Sequence, residues 1–226
     1  AINAIADRHG LPVIEDAAQS LGATYKGRRS CALTTIAATS FFPSKPLGCY
    51  GDGGACFTDD DNLAAKMRMI VDHGQSARYQ HTMIGINGRL DTIQAAILLQ
   101  KLPGFQNEID ARQKVADFYS RYLSSDLTLP RIMDDVLSAY AQYTIQVDNR
   151  DSLRETLSEN GVPTAVHYPK GLHQQPASAV TPSNSFPEAE RASERVLSLP
   201  FYPSMTEELV QQVAEIVNKA VAGAYV

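Results

Sequence analysis

The chain has 226 residues, 44% of them hydrophobic and 20% charged, the make-up of a globular enzyme with one large domain or one and a half small ones. A net charge of −5 argues against non-specific nucleic-acid binding, and no apolar run approaches the roughly 20 residues that span a bilayer. Cys31, Cys49 and Cys56 form no CxxC pair, and His9, His73, His81, His167 and His173 lack metal-ligand spacing, so free thiols in a reducing cytoplasm and no metal are expected.

Ala1–His9 reads as a helix with Ile2, Ile5, Ala6 and His9 on one face, stopped by Gly10. It begins without a cap, so the natural protein is expected to continue before Ala1. Leu11–Glu15 reads as a short buried strand, and helix followed by strand is the rhythm of a parallel sheet. Thr34–Phe42 is a second strand, halted by Pro43; Gly51-Asp-Gly-Gly54 is a turn and Ala55–Thr58 a third strand. Asp59–Asp61 can cap a helix whose stripe is Leu63, Met67, Ile70 and Val71. His73–Gly88 is polar, Gly-punctuated and without period, and reads as a long loop.

Leu90–Leu102 is apolar around much of its circumference, which predicts a deeply buried helix. After Pro103-Gly104, Ile109–Leu123 is a helix with Val115, Phe118, Tyr119 and Tyr122 on one face. A domain boundary is placed here, dividing a large domain over 1–108 from a small C-terminal α/β domain over 109–226. In the second part Tyr140–Val147 and Val162–Tyr168 read as strands, Asp151–Asn160 as a capped helix closed by Gly161, and Gln174–Pro187 as an irregular loop. Pro187–Leu197 and Thr206–Ala222 read as helices, the last with Leu209, Val213, Ile216 and Val217 on one face.

The chemistry concentrates at two strand ends. Functional groups in parallel sheets collect at the carboxyl ends of strands, and Asp16 lies just past one. A carboxylate there can keep a pyridine nitrogen protonated; the plainer reading is a cap or a surface acid. Gln19, about one turn on, can face the same place, or be a solvated side chain. Ser40 ends the second strand, and a hydroxyl with turn amides suits a phosphate. Lys45 follows five residues later between Pro43 and Pro46, in a stretch that reads as a fixed turn, although a lysine taken alone reads as a surface residue. Acid, hydroxyl and lysine together are what pyridoxal phosphate (PLP) needs: a Schiff-base lysine, an acid for the ring nitrogen and a hydroxyl for the phosphate.

Glu15-Asp-Ala-Ala-Gln-Ser20, Ser40-Phe-Phe-Pro-Ser-Lys-Pro-Leu-Gly48, Asp52-Gly-Gly-Ala55, Gly85-Ile-Asn-Gly-Arg-Leu-Asp91 with Gln94-Ala-Ala96, His167-Tyr-Pro169 with His173, and Ser198-Leu-Pro200 carry a further signal. With these segments the chain resembles the DegT/DnrJ-type sugar aminotransferases, PLP enzymes of fold type I that act on nucleotide-linked keto sugars, and the likeness covers essentially the whole chain. The resemblance implies an α/β fold type I large domain with a mostly parallel sheet, N-terminally incomplete here, plus a small C-terminal α/β domain.

It further implies that Lys45 is the Schiff-base lysine and proton shuttle, that Asp16 pairs with the ring nitrogen, Gln19 approaches the ring oxygen and Ser40 binds the phosphate. Asn87 would reach the phosphate of a neighbouring subunit, so that a homodimer shares its sites, and Arg89, His167 and Tyr168 would contact the nucleotide sugar. From the residues alone, Asn87 reads equally as a loop amide and Arg89 as a cap or an ion-pair partner. The implied reaction moves an amino group from L-glutamate to a keto sugar, best matched by a UDP-linked 3-keto sugar such as a 2-acetamido-glucuronic acid of O-antigen synthesis.

Two departures stand out: the part that would supply a stacking aromatic and further phosphate amides is expected before Ala1 and is not in this sequence, and Gly171-Leu-His173 stands where the family often has Pro-Leu-His. The rival readings are a sugar dehydratase on the same fold, in which histidine replaces the lysine and which Lys45 opposes, and a non-catalytic PLP-binding regulator.

Overall fold

The computed structural model describes residues 1–178 and 185–223, which form two compact units. The first comprises Ala1–Asp110 and Ile132–Ala141, the second Ala111–Arg131 and Gln142–Val226. The first unit therefore takes back a segment that a single cut at residue 108 leaves on the other side.

In the first unit, α1 (Ile2–Arg8) is followed by β1 (Ile14–Asp16), the small strands β2 (Thr24–Tyr25) and β3 (Arg28–Arg29), then β4 (Ile36–Ser40) and β5 (Gly54–Phe57). β4 is the centre of a three-stranded sheet ordered β1-β4-β5. β1 runs parallel to it, as the sequence rhythm predicts, with Asp16 opposite Ala38, but it is not buried as expected: Ile14 is 71% exposed, because within the described residues that face stays uncovered; β5 runs antiparallel, with Gly54 opposite Ser40. A helix joins no pair of these strands directly, so a turn can reverse the chain between β4 and β5. α2 (Asp61–Val71) starts where expected: the Asp60 carboxylate accepts from the amides of Asn62 and Leu63 at 2.8 and 3.0 Å.

The stretch read as a structureless loop contains a small hairpin, β6 (Gln75–Ala77) with β7 (Gln80–His81). Its strands are two or three residues long, mostly polar and mostly exposed, so no apolar alternation marks them. Two glycines hold its base: Gly74 has φ +71°, and a Cβ there would meet the Met83 carbonyl at 1.8 Å, while one on Gly85 would meet the Gly74 nitrogen at 2.2 Å.

α3 (Thr92–Lys101) corrects a second expectation. Only Leu98 on it is buried, with Phe41, Leu47 and Cys49; Ile93, Leu99 and Leu102 just beyond are 74%, 69% and 52% exposed. Its apolar circumference is real, but within this chain one face is covered. α4 (Phe105–Tyr122) then carries the chain into the second unit, and β8 (Val136–Leu137), returning to the first, pairs with β2.

The second unit is built on the antiparallel pair β9 (Tyr143–Gln146) and β10 (Val196–Leu199), with α5 (Arg150–Glu159), α6 (Pro187–Arg195) and α7 (Glu207–Val221). Its core holds Ile145, Leu157, Leu197, Val210 and Val217, all fully buried. Tyr119 stacks on Tyr143 at 4.9 Å and donates its hydroxyl to the Pro200 carbonyl at 2.6 Å; burial pushes that phenol's pKa well up.

Three expectations are revised here. Val162–Tyr168 is no strand: Ala165 alone bridges to Ser198, because Pro163 and Pro169 have no amide to give a ladder. The helix read as Pro187–Leu197 ends at Arg195, and Val196 begins β10. α5 has no side-chain cap; Asn149 precedes it in a left-handed conformation. Part of the loop read over Gln174–Pro187 lies outside the described residues; the rest starts at the end of one single turn, Leu172–Gln174, and contains another, Pro176–Ser178.

Candidate active site

Asp16, Gln19, Ser40 and Lys45 all come from the carboxyl ends of β1 and β4 or the turns leaving them. Side chains alternate along a strand, and register partners point the same way, so Asp16, Ala38 and Ser40 share one sheet face. Along β4, Ser40 is two residues beyond the partner of Asp16, placing the two Cα atoms about 8 Å apart for ordinary strand dimensions. The opposite face is anchored: buried Thr39 donates its hydroxyl to the Ala17 carbonyl at 2.9 Å, and Ala17 donates its amide to the Ala38 carbonyl at 2.7 Å.

Each polar group on the shared face keeps a free valence. One oxygen of Asp16 accepts the Ala18 amide at 3.0 Å, leaving the other for a ligand. The Ser40 oxygen accepts the Phe42 amide at 3.2 Å, so its hydroxyl proton is available to donate outward. Gln19 is exposed beside them. Lys45 is half-buried, and among the described residues its amine has neither a hydrogen bond nor a carboxylate partner. A PLP-sized ligand needs one acceptor for its ring nitrogen, a donor for its phosphate and a nucleophilic amine; the residues present fit that group.

The turn carrying Lys45 is tightly specified. Lys45 donates its amide to the Phe42 carbonyl at 2.8 Å, and Cys49 donates its amide and thiol to the Phe41 carbonyl at 2.8 and 3.0 Å. A Cβ on Gly48 would lie 2.5 Å from the Pro43 carbonyl oxygen, so only glycine lets the turn close. The far side is tied to α3: Gln94 accepts the Tyr50 amide at 2.8 Å, and Lys101 donates to the Gly48 carbonyl at 2.6 Å. Lys101 carries no motif signal and was invisible in the sequence; only its spacing of seven from Gln94 hinted at a shared helix face.

Glu15, next to Asp16, works on the other side of the strand. Its carboxylate accepts from the Ser30 hydroxyl and the Cys31 amide, both at 2.9 Å, and from the Leu33 amide at 3.2 Å. Partial burial, then the nearby Glu15 charge, push the Cys31 thiol pKa up.

The remaining candidates have partners of their own. Asn87 bridges Asp72 at the end of α2. Arg89 forms an ion pair with the Asp72 carboxylate at 2.7 Å and contacts His73 at 3.2 Å, matching the plain ion-pair reading of its residue type. In the second unit, His167 and Tyr168 line a surface hollow of about 540 Å³ together with Lys170. His167 is oriented by the buried hydroxyl of Ser198, which meets its Nδ1 at 3.0 Å and Thr144 at 2.8 Å. That gives Ser198 of the Ser-Leu-Pro segment a positional role that its sequence did not reveal. His173 is spoken for: its Nε2 meets Glu190 at 3.0 Å and its ring packs edge-on against Phe186. Among the described residues no group of His, Cys, Asp and Glu could hold a metal ion, and no helix is long and apolar enough to cross a membrane.

Residues 1–218 match the model of the DegT/DnrJ/EryC1/StrS aminotransferase family. The chain belongs to that family. It is 57% identical over 204 residues to the UDP-2-acetamido-2-deoxy-3-oxo-D-glucuronate aminotransferase of Pseudomonas aeruginosa, covering 90% of this chain and 56% of that protein. It is 47% identical to a pleiotropic regulatory protein of Geobacillus stearothermophilus, over 95% of this chain and 59% of that one. In three dimensions it superposes with a TM-score of 0.93 on S. venezuelae DesV in complex with a ketimine intermediate, at 39% identity, covering 96% of this chain and 60% of DesV. The chain thus spans a little under three-fifths of the length of these curated DegT/DnrJ/EryC1/StrS relatives. With the family comes the fold class: a PLP fold type I α/β architecture, of which the β1-β4-β5 sheet is the part that carries Asp16 and Ser40.

Proposed function

We propose that this chain carries the lysine-bearing part of a PLP-dependent aminotransferase that moves an amino group from L-glutamate to a nucleotide-linked keto sugar, a UDP-linked 3-keto sugar in particular. The observation that carries the reading is the unpartnered Lys45 amine in a fixed turn beside a sheet face bearing Asp16 and Ser40, each with one free valence. Support for the sugar comes from the 57% identity to an aminotransferase named for a UDP-linked 3-oxo sugar.

Bound there, PLP supplies a protonated ring that draws electrons from the amino carbon. The free Asp16 oxygen accepts the ring N–H and keeps it charged. Ser40 donates its hydroxyl to a phosphate oxygen, and Gln19 offers its amide to the ring oxygen. The Lys45 Nζ, held close by its turn, would take the proton from the donor's amino carbon and deliver it to the cofactor in one half of the exchange, and carry it from cofactor to the acceptor sugar carbon in the other. Asn87 completes the site of a neighbouring subunit in a homodimer, and Arg89, His167 and Tyr168 receive the nucleotide sugar. For Arg89 this requires sharing or opening its ion pair with Asp72.

The test is the visible spectrum of the full-length protein with PLP, before and after L-glutamate. A band near about 410 nm that moves toward about 330 nm is the expected result. A band indifferent to glutamate removes that donor. No band at all in wild type overturns the enzyme reading and a PLP-binding regulator alike, whereas a band that no amino donor shifts favours the regulator reading, which the name of the Geobacillus relative also suggests.

A further inference from the structure

α3 turns a single stripe toward the Lys45 turn. Gln94, Leu98 and Lys101 are spaced four and three apart, which puts them on one helix face. Leu98 is buried against Phe41, Leu47 and Cys49, so the middle of the stripe is seated in the core beneath the turn. The two ends are polar and each holds the backbone. Gln94 accepts the Tyr50 amide at 2.8 Å, and its amide nitrogen lies so near Gly51 that a Cβ there would come to 2.9 Å. Lys101, half-buried, donates from its ammonium to the Gly48 carbonyl at 2.6 Å. Among the described residues no carboxylate pairs with Lys101, so that carbonyl is its partner. A charged donor spent on one main-chain oxygen is a strong tether.

We propose that Lys101 and Gln94 are positioning residues, a two-point clamp through which α3 fixes the segment Gly48–Gly51 and thereby the placement of the Lys45 amine. The inference rests on the reading of Lys45 as the cofactor lysine. Neither residue touches the cofactor; both act through the turn. Removing either tether leaves β4 and the buried Phe41 that follows it in place, because those are held by β1, β5 and the core, but frees the backbone after Lys45.

The experiment uses the full-length protein and four variants: Lys101→Met, which keeps the stem and loses the donor; Lys101→Arg, which restores one; Gln94→Leu; and Gln94→Glu, which keeps an oxygen acceptor. Hydrogen exchange is followed by mass spectrometry without cofactor, comparing the segment 45–51 with β4, and PLP capture is titrated by its visible band. Losing a charge-assisted tether is expected to weaken PLP capture by about tenfold in Lys101→Met, with Lys101→Arg within about threefold of wild type. Exchange over 45–51 should quicken by about tenfold in Gln94→Leu while β4 is unchanged, and Gln94→Glu should resemble wild type. Unchanged exchange over 45–51 in Lys101→Met and Gln94→Leu overturns the clamp. So does equal acceleration of 45–51 and β4, which would mean a general loss of stability. Should wild type capture no PLP, the function proposed above fails, and the exchange measurement still decides the clamp.

Discussion

Asp16 and Ser40 stand on one face of the β1-β4-β5 sheet, with Ala38 between them as the register partner of Asp16. Neither is consumed by the fold: each makes one bond with a local amide and keeps the rest of its capacity outward. Asp16→Asn tests whether the charge matters, because the amide oxygen can still accept from Ala18. Folding stability should change by less than about 1 kcal/mol, while turnover with PLP should fall by about 10²–10³-fold. Equal turnover in the two proteins would remove Asp16 from the chemistry.

Glu15 and Cys31 make a second, separable case. Glu15→Gln keeps one acceptor but turns an amide toward the Leu33 N–H, which should cost about 1–3 kcal/mol in denaturant unfolding. The Cys31 thiol is held up by burial first and by the Glu15 charge second. Removing the charge lowers its pKa in part, so more thiolate is present at a given pH and alkylation by iodoacetamide should quicken. Slower or unchanged alkylation would show that Glu15 does not govern this thiol.

Gly48 should tolerate no side chain. Gly48→Ala drives a methyl into the Pro43 carbonyl, with an expected loss of about 1–3 kcal/mol measured by thermal or urea unfolding. PLP capture should suffer more than stability does, because the turn that gives way is the one that holds Lys45. A variant as stable as wild type would mean the turn closes differently in solution.

Glu190 gives a pH prediction. Its carboxyl is held below the usual glutamate range by the Phe186 amide first and by His173 second. A depressed folded value stabilises the ionised, folded form at pH above the ordinary glutamate range, and that contribution is lost as pH falls through the range and on through Glu190's own lower value. The ring of His173, followed by NMR, should leave Glu190 and Phe186 over that acid window in wild type. In Glu190→Gln no such departure should occur over the same acid window.

How much of this was legible in the sequence depended on whether the signal was local. The start of α2 was readable because Asp60 supplies its own cap. The parallel character of β1 followed from a helix running into a strand, and the strand-end positions of Asp16 and Ser40 from where each run stops; which strands pair did not. The hairpin Gln75–His81 was missed because exposed polar strands leave no period. Val162–Tyr168 misled because its β-branched residues advertise a strand that its prolines cannot pair. The burial of α3 was overestimated because composition shows that a face is apolar but not what covers it. Lys101 could not have been found at all: a lysine near a helix end reads as solvated, and only the position of the Gly48 carbonyl gives it a task.

The return of Ile132–Ala141 to the first unit bears on any attempt to divide this protein. β2 sits between β3 and β8, and β8 is contributed by residues 136 and 137, after the chain has already visited the second unit. A fragment that stops at Asp110 would expose Thr24 and Tyr25 as a raw strand edge and strip the Asp135 carbonyl from the Lys26 amide. During synthesis that edge stays open until the ribosome has released some thirty residues more. The lysine-bearing unit is therefore not a severable module: a shortened version meant to display it alone must carry residues 132–141 along, spliced back through a linker.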